Sequence, residues 1–278
     1  MILSRSSADS LSEELAGIAV GAGRLLRTMR RDIGSIRYKE DGSPVTDADK
    51  HSEALILDML SQAFPQVPVV SEERETRVGG RGFFFLVDPL DGTRDYIRPE
   101  GEYTVNIALI EDGTPVAAAI AAPETDDVWI AGETARTARL PDGAPPEWKR
   151  ISARKMPAEG GVALVSRRHR DDEEENIMAA LPIIRRRVAS SAVKFCWLAE
   201  GQADVYIRCR PTMEWDTAAG GLILERAGGV LFGSGGEPLP YGRTPGDYRS
   251  GAFAALGDPA FKPRVRLPAS IREKFGEY

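Results

Sequence analysis

Residues 83–97 read Phe-Phe-Phe-Leu-Val-Asp-Pro-Leu-Asp-Gly-Thr-Arg-Asp-Tyr-Ile. So apolar a run is expected to form a strand buried on both faces, yet its end carries Asp88, Asp91 and Asp95. Asp88 and Asp91 bracket Pro89-Leu90, which predicts a turn straight after the strand. Two carboxylates that close repel each other unless a cation sits between them. Hard divalent ions, Mg²⁺ above all, take carboxylate and carbonyl oxygens. Gly92 lets the backbone approach a ligand closely, and a helix beginning at Thr93 would offer free N–H groups to a phosphate. Metal-binding acids beside such a helix start are what metal-assisted hydrolysis of a phosphate ester requires. Three more acidic groups fall at predicted element ends: Asp47 with Asp49, Glu72 with Glu73, and Asp216. Helix capping is the competing reading for Asp47, Asp49, Asp91 and Asp216, since a carboxylate ahead of a helix accepts from its first N–H groups.

The elements that must hold these acids follow from the pattern. Leu11, Leu15, Ile18, Leu25 and Leu26 recur at helical spacing, with Ser10 or Ser12 as cap and an end near Met29. Gly42 and Pro44 break the chain before a second helix, which opens at Asp47 or Asp49 and stops before Pro65. Val-Pro-Val-Val runs as a short strand into Glu72 and Glu73. Residues 103–133 read as successive strands with a hairpin at Asp112-Gly113. After a Pro-rich stretch at 140–150 come a strand near Val162, a helix from the acidic run at 171–175, and a helix and strand either side of Gly201. A last helix holds Asp216 and stops at Gly228-Gly229. Helices and strands mixed in both halves predict a layered α/β sandwich. Its seam is expected near 141–155, between an N-terminal unit 1–150 and a C-terminal unit 151–278.

Bulk composition narrows the classes. With 278 residues, 42% hydrophobic and 28% charged, the chain can bury a sizeable core. A net charge of −6 argues against a nucleic-acid polymer as partner. The first residues predict an amphipathic helix and not a signal peptide, and no run approaches the ~20 apolar residues of a membrane span. Cys196 and Cys209 are too few for a disulfide framework, so a reducing cytoplasm is expected and both should be packing residues. Peripheral contact with the inner face of a membrane is left open, as is the choice between monomer and homodimer.

Asp-Pro-Leu-Asp-Gly-Thr-Arg-Asp-Tyr-Ile (88–97) and Glu-Trp-Asp-Thr-Ala-Ala-Gly-Gly (214–221) resemble the two signatures of the inositol monophosphatase-like superfamily. Ser-Pro-Val-Thr-Asp-Ala-Asp (43–49) and Ser-Glu-Glu (71–73) match in order and spacing. Gly-Glu-Tyr-Thr-Val-Asn-Ile (101–107) and Lys-Phe-Cys-Trp-Leu-Ala-Glu-Gly (194–201) are similar to the 3'(2'),5'-bisphosphate nucleotidase branch of the CysQ type. The resemblance implies an αβαβα sandwich and a lithium-sensitive, Mg²⁺-dependent phosphatase with two to three ions per site. Its metal ligands would be Glu72, Asp88, the Leu90 carbonyl, Asp91 and Asp216. Glu72, Thr93 and Asp49 would orient the attacking water, and Gly92 and Thr93 would meet the phosphate. It further implies in-line displacement by a metal-activated water, without a phosphoenzyme, and a role in sulfur assimilation with 3'-phosphoadenosine 5'-phosphate as substrate. Inositol 1-phosphate and fructose 1,6-bisphosphate are the alternatives.

Inositol-specific members place an acid a few residues before the Trp-Asp pair, where this chain has Cys209. Arg208 and Arg210 flank that position, and Lys194 follows Ser191 at helical spacing. With Arg94 and Ser166 these are the candidate substrate contacts, and the Ser-Arg-Arg-His-Arg run at 166–170 adds further cations. Arginine forks suit a second phosphate. A solvated strand face is the other reading of Arg208 and Arg210. Arg210 stands where nucleotidases of this branch carry glycine.

Overall fold

A computed structural model describes residues 7–39, 42–74, 78, 81–99, 101–140, 145–167, 171–244 and 247–268. It begins with helix α1 (Ala8–Met29). The Ser10 N–H donates to the hydroxyl of Ser7, so Ser7 caps this helix and not Ser10 or Ser12. Ser12 lies inside the first turns, where its hydroxyl donates to the Asp9 carbonyl. Strands β1 (Ile36–Tyr38) and β2 (Pro44–Thr46) pair antiparallel and lead into helix α2 (Asp47–Ala63).

A seven-stranded sheet follows in chain order: β3 (Val69–Ser71), β4 (Phe83–Asp91), β5 (Thr104–Glu111), β6 (Thr114–Ala122), β7 (Asp127–Ala131), β8 (Ala135–Arg139) and β9 (Lys149–Arg150). The β5–β6 connection is the hairpin at Asp112-Gly113, both with positive φ. The four-residue helix α3 (Thr93–Tyr96) lies between β4 and β5. A five-stranded sheet has the order β11-β10-β12-β16-β14. Its strands are β10 (Gly161–Val165), β11 (Ile183–Val188), β12 (Val205–Arg208), β14 (Val230–Gly233) and β16 (Phe253–Leu256). Between them run α4 (Asp172–Ala179), α5 (Val193–Ala199), α6 (Glu214–Arg226) and the short pair β13 (Thr212–Met213) and β15 (Arg249–Ser250).

The alternation of β4 shows how the layers stack. Phe85 and Val87 join α1 and α2 in one apolar cluster. Phe84 and Leu86 face the other way, into a cluster with Phe195 of α5, Leu222 of α6 and Tyr206 of β12. Both faces of the strand are therefore covered, which explains why its sequence is continuously apolar. A third cluster joins the outer side of the second sheet, through Ala163, Val205 and Ile207, to Met178 of α4. The order is helices, sheet, helices, sheet, helix: an αβαβα sandwich.

The expected turn at Pro89-Leu90 is not a turn. β4 runs on to Asp91 and stays paired with β5, with Asp88 opposite Asn106 and Asp91 opposite Thr104. Three steps on one strand match two on the other, so one extra residue bulges out. Proline lacks the N–H that a regular ladder would use there. In a regular strand, residues three apart face opposite sides; the extra residue reverses that parity. Asp88 and Asp91 thereby reach one face.

After α3 the chain folds back so tightly that a Cβ on Gly101 would overlap the Asp95 carbonyl. Arg30 braces this turn: its Nε donates to the Tyr96 carbonyl at 3.0 Å, and its Nη2 also reaches the Arg98 carbonyl. Its Nη1 pairs with Glu124 at 2.7 Å. Gly101→Ala should therefore cost about 3 kcal/mol or more, because backbone cannot move aside as a side-chain tip can. Chemical denaturation of the two proteins measures it; a loss under about 1 kcal/mol would show that the turn relaxes freely.

Candidate active site

The acids are placed by their local folds, and here the capping reading and the site reading coexist. Asp49 sits in the first turn of α2, where its Oδ2 accepts from the N–H of Thr46 and from its hydroxyl, both at 2.7 Å. That bond fixes the carboxylate and leaves Oδ1 facing Thr93, whose hydroxyl lies 3.0 Å away. Asp216 is held likewise at the start of α6: Oδ2 accepts from the Met213 N–H at 3.1 Å and from the Thr212 hydroxyl. On the bulge, Asp88 Oδ1 accepts from the Leu90 N–H at 3.0 Å. Asn106 Nδ2 donates to Asp91 Oδ2 at 3.4 Å. The Ser52 hydroxyl holds the Pro89 carbonyl at 2.7 Å, which ties α2 to the bulge.

Asp88, Asp91 and Asp216 each present a carboxylate oxygen within 4.8 Å of the other two. Burial and repulsion between neighbouring carboxylates raise the proton affinity of Asp88 and Asp91. Asp88 is pushed well above the usual carboxylate range by burial first, then by Glu72, Asp91 and Asp216. Asp91 is pushed up to about 6 by burial and by Asp216, against the pull of Lys194. Three hard oxygen donors gathered this closely are a set completed by a divalent cation, so the residues fit a metal ion.

Glu72 stands beside this trio and not within it. β3 ends at Ser71, so Glu72 and Glu73 occupy a turn and not the strand. Glu72 Oε1 accepts from Lys39 Nζ at 2.8 Å, and the same ammonium reaches Glu73 at 2.6 Å. Burial pushes Glu72 up to about 7; Lys39 opposes this, while Asp216 and Glu73 add to it. Lys39 escaped the sequence reading because nothing in its neighbourhood marks it; only the fold brings it to the Glu-Glu pair.

Gly92 has φ +95, as its position before α3 demands, and a Cβ there would come within 3.0 Å of the Glu102 carbonyl. Thr93 Oγ1 also lies 3.3 Å from the Leu90 carbonyl. Arg94 is exposed and donates to the Gly42 carbonyl at 2.6 Å, outside the cleft. Asp95 is buried, with Arg167 Nε 3.7 Å from its Oδ1.

A cleft opens beside the acids. Asp91 and Asp216 line it together with Ser191, Lys194, Arg208, Thr212 and Tyr206. Lys194 is 5% exposed; its ammonium donates to the Ser191 carbonyl at 2.8 Å and lies 4.9 Å from the centre of the Tyr206 ring. Ser191 has φ +52, and its buried Oγ has no hydrogen-bond partner among the described residues. Ser166 follows β10 and does not line the cleft. Arg210 turns away to Asp171 at 3.3 Å. Arg168, His169 and Arg170 lie outside the described residues. Neither cysteine forms a disulfide among the described residues; Cys196 lies in the core and Cys209 is half-buried. Trp215 is a core residue, while Trp197 is half-buried beneath the Arg187 guanidinium. Among the described residues no helix is long and apolar enough to cross a membrane.

A five-layer sandwich that brings acids from a strand bulge and from a distant helix start to one cation-lined cleft defines a class of phosphatase. The chain belongs to the inositol monophosphatase family, whose model matches residues 8–264. It is 39% identical over 216 residues to the 3'(2'),5'-bisphosphate nucleotidase CysQ of Escherichia coli K12, covering 73% of this chain and 81% of that one. To the protein of the same name from Salmonella typhimurium it is 37% identical over 243 residues, covering 82% and 93%. Among solved structures, CysQ of Bacteroides thetaiotaomicron, a bacterial member of the family, superposes with a TM-score of 0.75 at 31% identity. That match covers 89% of this chain and 97% of the other. The chain is thus a phosphatase, a phosphoric monoester hydrolase, of this family.

Proposed function

We propose that this phosphatase is Mg²⁺-dependent and removes the 3'-phosphate of 3'-phosphoadenosine 5'-phosphate, giving AMP and phosphate. One observation carries the reading: two cations, Lys194 and Arg208, share a cleft with Asp91 and Asp216. Such a cleft suits an ester whose scissile phosphate meets the acids while a second anionic group meets the cations. Cys209 stands where an inositol-specific site would carry a ring-hydroxyl acceptor. The relatives' names point the same way.

Asp88, Asp91, Asp216, Glu72 and the Leu90 carbonyl would hold two to three Mg²⁺ ions. Bound Mg²⁺ supplies Lewis acidity, easing ionisation of a water and neutralising phosphoryl charge. The chain's own groups do the rest. Asp49 Oδ1 takes the Thr93 hydroxyl hydrogen, leaving that oxygen's lone pairs to accept from the attacking water and aim it along the scissile bond. Gly92, without a Cβ, lets the phosphate approach the start of α3. Lys194 and Arg208 fix the far phosphate, converting binding energy into orientation. The first half, 1–150, then carries most metal ligands, and the second, 151–278, contributes Asp216 and the substrate cations. Two cysteines outside any disulfide fit a reducing cytoplasm.

Phosphate release from adenosine 3',5'-bisphosphate, inositol 1-phosphate and fructose 1,6-bisphosphate, assayed in parallel with Mg²⁺, tests the reading. The adenosine bisphosphate should give the highest kcat/KM, by about tenfold or more for a correctly paired buried ion. A dominant rate on inositol 1-phosphate would overturn it.

A further inference from the structure

The Gly-Glu-Tyr segment ahead of β5 lies outside the cleft and takes no part in the chemistry above. Tyr103 braces the fold: its hydroxyl donates to Glu124 at 2.7 Å, beside the Arg30 guanidinium. Glu102 does something else. Its Oε2 accepts from the N–H of Ser190 at 2.9 Å, a bond from the first half of the chain to the second. Its own carbonyl lies 3.0 Å from where a Cβ on Gly92 would be, and Ser191 Cβ lies 3.5 Å from that same point. Gly92, Glu102 and Ser191 therefore meet at one seam, the site's phosphate end on one side and its cation end on the other.

The next residue shows what the bond is for. Ser191 holds a left-handed conformation at φ +52, which is unfavourable for a non-glycine residue and persists only where the surroundings impose it. That conformation buries the Ser191 hydroxyl, leaves it without a partner among the described residues, and places it on the cleft wall. It also presents the Ser191 carbonyl to Lys194, whose ammonium it holds at 2.8 Å. Fixing the Ser190 N–H thus fixes both polar groups that follow it.

We infer that Glu102 is a positioning residue for substrate selection: from across the seam it holds the Ser190–Ser191 turn, and through it Lys194, in register with a second anionic group of the substrate. This rests on the two-phosphate reading above and adds to it a residue that touches no substrate.

The test compares adenosine 3',5'-bisphosphate with adenosine 3'-monophosphate and reads the ratio of their kcat/KM values. A bracing role alone lowers both substrates equally and leaves the ratio unchanged. Positioning lowers the ratio, through KM of the bisphosphate. Glu102→Ala removes the acceptor, and Glu102→Asp keeps the charge but draws it back by one methylene; both should cut the ratio by about tenfold. Glu102→Gln keeps an acceptor oxygen at full reach and should restore most of the ratio. Lys194→Ala is run alongside. If it abolishes the preference while both shortened Glu102 variants keep it, the role of Glu102 is overturned and the two-phosphate reading stands. If Lys194→Ala leaves the preference intact, or the unaltered protein has none, both are overturned. Should Glu102→Ala fail to fold, Glu102→Asp against Glu102→Gln decides the matter alone.

Discussion

Asp91→Asn should abolish Mg²⁺-dependent turnover, by at least ~10³-fold in kcat, and at the same time make the metal-free protein more stable. Both effects have one cause. Asp91 is held above the ordinary carboxylate range by burial and by Asp216, so at neutral pH its negative charge is a cost that the fold bears for its function. The amide is nearly the same size and keeps an oxygen that can accept from Asn106, whose Nδ2 lies 3.4 Å from the present carboxylate. It removes the charge and, with it, most of the attraction for a divalent ion. The check needs two instruments: a phosphate-release assay with Mg²⁺, and thermal melting in EDTA at pH 8. The expected pair is no turnover and a raised Tm that no longer responds to added Mg²⁺. Undiminished hydrolysis would refute the metal assignment. A lowered Tm in EDTA would refute the account of Asp91 as a repelled charge.

The sequence made the acids legible because carboxylates at element ends are conspicuous. It did not show how they meet. Asp88 and Asp91 come to one face through a bulge at Pro89, and the loss of a single ladder N–H could equally have made a turn, as the spacing suggested. Asp49 and Asp216 read as residues capping a helix from ahead of it; each instead sits inside the first turn, where one oxygen accepts from the N–H of the residue that precedes the helix and the other is left over. Treating capping and ligation as rivals hid that double use. Elements with a strong period, such as α1, and those with continuous apolar content, such as β4, were readable to within a few residues. The cap of α1 was not, since Ser7, Ser10 and Ser12 all carry a hydroxyl that could accept, and only the folded chain shows which one meets a helix N–H. Lys39 and Glu102 were unreadable for another reason: each acts on residues distant in sequence, Lys39 on Glu72 and Glu73, Glu102 on Ser190. No local pattern encodes such a meeting.

Stability should depend on pH in opposite senses with and without metal. Glu72 is pushed up to about 7, Asp91 to about 6, and Asp88 well above the usual range, in each case by burial first. The resolved shifts at Glu73, Glu174, Glu200 and Glu225 are also upward. A carboxyl group whose folded pKa exceeds its unfolded one binds its proton more tightly in the folded state. Its stabilising contribution is complete below the unfolded value, near 4, and is lost as pH rises through the folded one. The metal-free protein should therefore melt progressively earlier between about pH 4 and 7, by on the order of 5 °C across that span. Divalent ions bind the ionised carboxylates, so their affinity grows over the same window as protons leave, and ligand-linked stabilisation grows with it. Melting curves from pH 5 to 8, in EDTA and in millimolar Mg²⁺, should diverge: Mg²⁺ should add little at pH 5 and most at pH 8. A Tm in EDTA that is level or rising across this range, or a Mg²⁺ increment that shrinks with pH, would mean that neither burial nor mutual repulsion holds these carboxyl groups above their unfolded values. The cluster would then lose its reason to hold a cation.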